Sequence, residues 1–131
     1  MTERRALFSM LGVAAGAVFL PAQNSGKQEI RADTVHRQPL PEPFVGWEAR
    51  FVAVQFPAGV RSLPHRHPGF VLGYVIEGQF RFAINGETPS VLMAGDAFYE
   101  PPGADHTVGE SASASQTAKI LAIIVAPKEA K

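Results

Sequence analysis

The chain has 131 residues, enough for one domain and too few for two. Twelve Lys and Arg balance twelve Asp and Glu, so no net charge draws the chain to nucleic acid or to an acidic membrane surface. There is no cysteine, which excludes disulfides, thiolate catalysis and cysteine-bound zinc, and eleven prolines with twelve glycines leave little room for helix.

Residues 1–22, MTERRALFSMLGVAAGAVFLPA, differ in kind from the rest. Arg4 and Arg5 precede an apolar run to Leu20 that contains no acid, and small or turn-forming residues close it. This is the pattern of a secretory signal, expected as an N-terminal helix that is removed near Ala22 and leaves no stable membrane span. Arg4-Arg5-Ala6-Leu7-Phe8 resembles a twin-arginine export signal, which implies a periplasmic or extracellular destination in a bacterium. The domain left behind is slightly acidic, because two arginines depart with a single acid, Glu3.

Residues 23–46 are polar and punctuated by Pro39, Pro41 and Pro43, which reads as an arm or an edge strand. From Trp47 the chain becomes rich in β-formers. Trp47–Phe56, Gly69–Glu77, Gln79–Ile84, Ser90–Met93, Asp96–Glu100, His106–Val108 and Lys119–Val125 are short runs bounded by Gly, Pro or Asn. Glu77-Gly78 and Asn85-Gly86 signal tight turns, the second as a hairpin, and Gly109–Ala118 reads as a flexible loop. Regular short strands without a 3.6-residue period argue for an all-β sandwich, jelly roll or barrel over 47–126, with 127–131 as a tail.

Three of the four histidines carry the chemistry. His65 and His67 are spaced to share one face of a strand, and His106 follows a Pro-Pro-Gly turn. Three imidazoles that converge suit a first-row divalent metal. Gly59 followed by His65-Arg66-His67 and Gly78 resembles the first motif of the cupin family. Gly95, Pro101, Gly103 and His106 resemble its second motif at these positions. The resemblance implies a double-stranded β-helix, or jelly-roll barrel, with His65, His67 and His106 as ligands to Fe, Mn, Ni or Zn. It also implies that Gly59, Gly78, Gly95 and Gly103 form turns, and it makes a homodimer an expected assembly.

One departure matters. The family's first motif sets three or four residues between the second histidine and a glutamate, and those places hold Val71 and Leu72 in this chain. Glu100, just before Pro101, is the candidate replacement: a metal ligand, a partner to a ligand histidine, or the catalytic proton acceptor. The bland alternative is a solvated rim residue. Val71, Tyr74, Phe98 and Tyr99 are candidates to line a pocket for a small, partly apolar ligand or substrate. Arg50, Arg66 and Arg81 read as surface or rim residues, one of which could hold an anionic substrate; His36 has no expected role.

The resemblance implies a mononuclear metal-dependent enzyme, with dioxygenase chemistry ahead of isomerase or lyase chemistry. The alternative is a non-catalytic cupin module that binds a metal or small ligand, since the fold alone does not decide activity.

Overall fold

The computed structural model describes residues 17–20 and 28–129. Among these the chain is all β: β1 (Ala17–Leu20), β2 (Ile30–Pro39), β3 (Trp47–Phe56), β4 (His65–Arg66), β5 (Phe70–Glu77), β6 (Gln79–Ile84), β7 (Ser90–Met93), β8 (Ala97–Glu100), β9 (Asp105–Ser111) and β10 (Ala118–Pro127). They form two antiparallel sheets, one ordered β1-β2-β3-β10-β5-β8 and the other β4-β9-β6-β7. This is the double-sheet architecture of a jelly roll.

The segment read as a signal falls largely outside the described residues. Its described part, Ala17–Leu20, is a strand rather than a helix and pairs with Ile30–Asp33 of β2. A sheet edge offers unpaired backbone donors and acceptors, and an extended apolar run can satisfy them. Residues 30–39, expected as an arm or edge strand, run along β3 and belong to the large sheet.

Alternation sorts the large sheet into two faces. On β10, Ala118, Ile120, Ala122, Ile124 and Ala126 are buried while the residues between them are only half-buried. The inner face is a stack of cross-strand rows. Phe56 pairs with Ala118; Val54 with Ile120 and then Val75; Val52 with Ala122, Gly73 and Phe98. The last row at this end is Arg50, Ile124, Val71 and Glu100.

Phe56, Val75, Phe80, Phe98 and Ile120 fill one end of the barrel together with Ile30, Val60 and Ala118. Gly73 lets Phe98 lie flat on its own cross-strand partner. A Cβ at 73 would stand 2.0 Å from the ring.

The corners follow the sequence signals with two changes. Gly78 makes the turn that carries the chain from β5 in one sheet to β6 in the other, at φ +80°. Its missing Cβ would meet the Thr117 carbonyl oxygen at 2.5 Å. Asn85-Gly86 does open a hairpin between β6 and β7, but the next strand begins only at Ser90. The stretch read as a flexible loop is shorter than expected, because β9 runs on to Ser111. The loop is pinned by serine hydroxyls: buried Ser111 Oγ donates to the Gln116 carbonyl at 2.6 Å, and Ser113 Oγ accepts from Ser115 and Gln116 N–H.

Candidate metal centre

The three histidines meet beside the Glu100 row, on the side of Phe80 and Phe82. β4 and β9 are neighbours in the small sheet, with His65 directly opposite His106. Two local devices bring His106 inward. Pro101–Ala104 is a tight turn closed by the Ala104 N–H on the Pro101 carbonyl (3.1 Å), with Gly103 at φ +80° in the position that demands it. β9 then carries a bulge against β6: Ala83 faces Val108 and Ile84 faces His106, so Thr107 is extra. A bulge of this kind re-aims a side chain. Here both His106 and Gly109 face inward, and a Cβ at 109 would stand 3.0 Å from the imidazole.

His65 Nδ1 lies 2.8 Å from the Leu63 carbonyl oxygen. A carbonyl only accepts, so Nδ1 carries a proton and Nε2 is the nitrogen turned toward the cluster. That nitrogen is 3.1 Å from His67 Nε2. Two ligands at about 2.1 Å from one ion, at right angles, stand about 3.0 Å apart. One donor nitrogen from each of His65, His67 and His106 lies within 4.8 Å of the others.

Glu100 joins this cluster. It is 4 % exposed, so the solvated rim reading is corrected. Glu100 Oε2 lies 3.4 Å from His106 Nδ1, and Oε1 lies 3.8 Å from His67 Nε2. Oε1 and both ring nitrogens of His106 are buried without any hydrogen-bond partner. Buried polar atoms are rarely left unpaired. Together with the nitrogens of His65 and His67, on and just after β4, the unpartnered atoms of Glu100 (β8) and His106 (β9) fit a bound cation, and the three-nitrogen, one-oxygen set suits a first-row divalent ion.

The electrostatics follow from burial. Phe82 and Phe80 lie 5.3 and 6.4 Å from the His106 ring, and this apolar floor desolvates the site. Burial pushes Glu100 up to about 7 and His106 down to about 4. His67 also falls to about 4, by burial first and then by the charges of His65 and Arg50. At neutral pH both histidines are uncharged and offer lone pairs, while Glu100 stands near half-protonation.

Val71 and Leu72 occupy the region of the absent motif glutamate, and the structure separates them. Val71 is fully buried on the inner face; Leu72 points outward. Val71 is the cross-strand partner of Glu100. The carboxylate of this site therefore stands one strand over from the vacant motif position, in the same row of the barrel.

Other expectations divide by face. Val71 and Phe98 lie inside, whereas Tyr74 and Tyr99 are about half exposed on the outer face, with Leu72 and Ile76. The correction is one of strand parity: Phe98 and Glu100 point in, so Tyr99 between them must point out. Phe82, which packs 4.7 Å from Phe98 and borders His106, takes the tyrosines' place beside the site. Arg66 and Arg81 are turned outward onto Asp105 and Glu110. His36 lies against Phe51, far from the other histidines. Arg50, expected at the surface or rim, is half-buried and belongs to the inner row with Glu100.

Solved structures share this architecture at low sequence identity. A predicted oxalate decarboxylase from Thermotoga maritima is 20% identical, with 85% of this chain and 92% of that one covered at a TM-score of 0.58. KdgF from Halomonas sp. is 22% identical, with 86% and 88% covered and a TM-score of 0.61. An uncharacterized conserved protein with a double-stranded β-helix domain from Klebsiella pneumoniae is 19% identical, with 82% and 84% covered and a TM-score of 0.62. These likenesses concern the fold. A comparison with curated proteins found no match. In sequence, residues 52–124, more than half of the chain, match the cupin domain. They span the strands that carry His65, His67, Glu100 and His106, and the chain belongs to the cupin domain family.

Proposed function

We propose that this cupin is an exported mononuclear metalloenzyme acting on a small, partly apolar molecule, with oxygen-dependent cleavage as its reaction. The observation that carries the reading is the buried, unpartnered cluster of His106 and Glu100 beside His65 and His67. A divalent ion held by these residues would supply a Lewis-acidic centre with coordination positions left for substrate and O₂.

The chain's own residues do the remaining work. His65 is oriented by its bond to the Leu63 carbonyl, which fixes its tautomer. Phe82 and Phe98 exclude water and favour an apolar body in the pocket. Glu100, beside His67 and His106, stands where it would either join in holding the ion or pass a proton to and from the substrate.

Oxygen uptake by iron- or manganese-loaded protein, with a panel of catechols and β-diketones, tests the reaction. Consumption of O₂ matched to substrate loss is the expected result. Tight binding without turnover contradicts it and supports the non-catalytic module. The export half of the proposal rests on Arg4-Arg5 before an apolar run. Replacing both arginines with lysine should stop export; continued export refutes the twin-arginine route.

A further inference from the structure

The described residues include six arginines, and five of them are paired with an acid. Arg31 meets Asp33, Arg37 meets Glu48, Arg61 and Arg81 share Glu110, and Arg66 meets Asp105. Arg50 is the exception. It has no ion pair among the described residues, and its Nε is buried without a hydrogen-bond partner. The unpaired arginine is also the one on the inner face of the barrel, in the row Arg50, Ile124, Val71, Glu100.

Arg50 is half-buried, and an Nε shut off from water without a partner is costly and calls for an acceptor, which an anion supplies. Glu100, the only buried acid among the described residues, is engaged with His67 and His106 instead. Arg50 is close enough to His67 for its charge to oppose protonation of that ring. Three imidazoles, a divalent ion, one guanidinium and at most one carboxylate leave the site with excess positive charge. The motif glutamate that would have reduced it is Val71.

We propose that Arg50 anchors a carboxylate of the substrate, so that the site takes a small, partly apolar carboxylic acid whose other end meets the histidine cluster. The free Nε and an adjacent Nη form the flat edge of the guanidinium that grips a carboxylate through two parallel bonds. Neighbouring strands lie about 4.8 Å apart. Arg50 stands two strands from Val71 and three from Glu100, so the bound acid bridges from the Arg50 side of the barrel toward the imidazoles. This assignment rests on the metal-site reading for the chemistry at that far end, and on Arg50 alone for the charge it selects.

The test is ¹⁹F NMR titration of 4-fluorobenzoate and its neutral match 4-fluorobenzamide against the protein, both metal-free and zinc-loaded. Saturable binding of the benzoate is expected, with the benzamide about tenfold weaker or more. Arg50→Gln should weaken the benzoate by about tenfold or more while leaving its zinc content unchanged. Arg61→Gln, at an outer ion pair, should bind as wild type does. Arg50→Lys keeps the charge without the fork and should fall between, which preserves the test if Arg50→Gln does not fold. Equal binding of benzoate and benzamide, absence of saturable benzoate binding, or wild-type affinity in the arginine variants overturns the proposal. Arg50-dependent benzoate binding by a protein that holds no zinc would sustain it while refuting the metal reading.

Discussion

Glu100→Gln in the metal-free protein tests the electrostatics of the site directly. Burial raises the Glu100 carboxyl from its ordinary 4.5 to about 7. A group whose folded pKa lies above its unfolded value stabilises the fold below the unfolded pKa. That stability is lost as pH rises through the folded pKa. A 2.5-unit shift corresponds to roughly 3 kcal/mol in all, of which about 2–3 kcal/mol falls between pH 5 and pH 8. Glutamine has nearly the same shape and does not ionise. His67 and His106 titrate in both proteins, so their contributions cancel in the comparison. Urea unfolding in the presence of EDTA at pH 5 and pH 8 is the assay. With a urea slope of about 1.2 kcal/mol/M, the variant's midpoint should gain about 2 M on wild type between the two conditions. Parallel pH profiles for the two proteins would refute a buried Glu100 that ionises against its surroundings.

Two further predictions use the register of the inner rows. Glu100→Val should weaken metal binding by about tenfold or more. Adding Val71→Glu to it returns a carboxylate to the same row and should bring affinity back to within a few-fold of wild type, read by competition with a chelator; a double variant as weak as Glu100→Val refutes the exchange. Gly73→Ala would drive a Cβ to 2.0 Å from Phe98 and should cost about 1–3 kcal/mol in urea unfolding. Its cost should shrink in a Phe98→Leu background, and strict additivity of the two changes contradicts the contact.

The strands were legible because their apolar runs end at glycines, prolines and asparagines that the backbone needs at those points. The expected glycines 59, 78, 95 and 103 all sit at positive φ. The histidines were legible because their spacing is tied to those turns. Which residues share a face was not. Parity reads safely along one strand only when one residue of it is already placed, and nothing in Asp96–Glu100 alone says whether Phe98 or Tyr99 turns inward. The bulge at Thr107 resets parity inside a single strand, and it has no sequence mark. The row of Arg50 was hidden for a related reason: an arginine in a β-run reads as surface or rim, and only the register with Val71 and Glu100 shows which face it takes.

Metal content is the most direct test of the central claim. Protein prepared without a histidine tag, incubated with Fe(II), Mn(II) or Zn(II) and desalted, should carry about one ion per chain by mass spectrometry. The His65→Ala/His106→Ala variant, folded by circular dichroism, should carry less than about a tenth of that. Wild-type protein without near-stoichiometric metal, or a variant that retains the same content, would contradict a metal centre built from these residues.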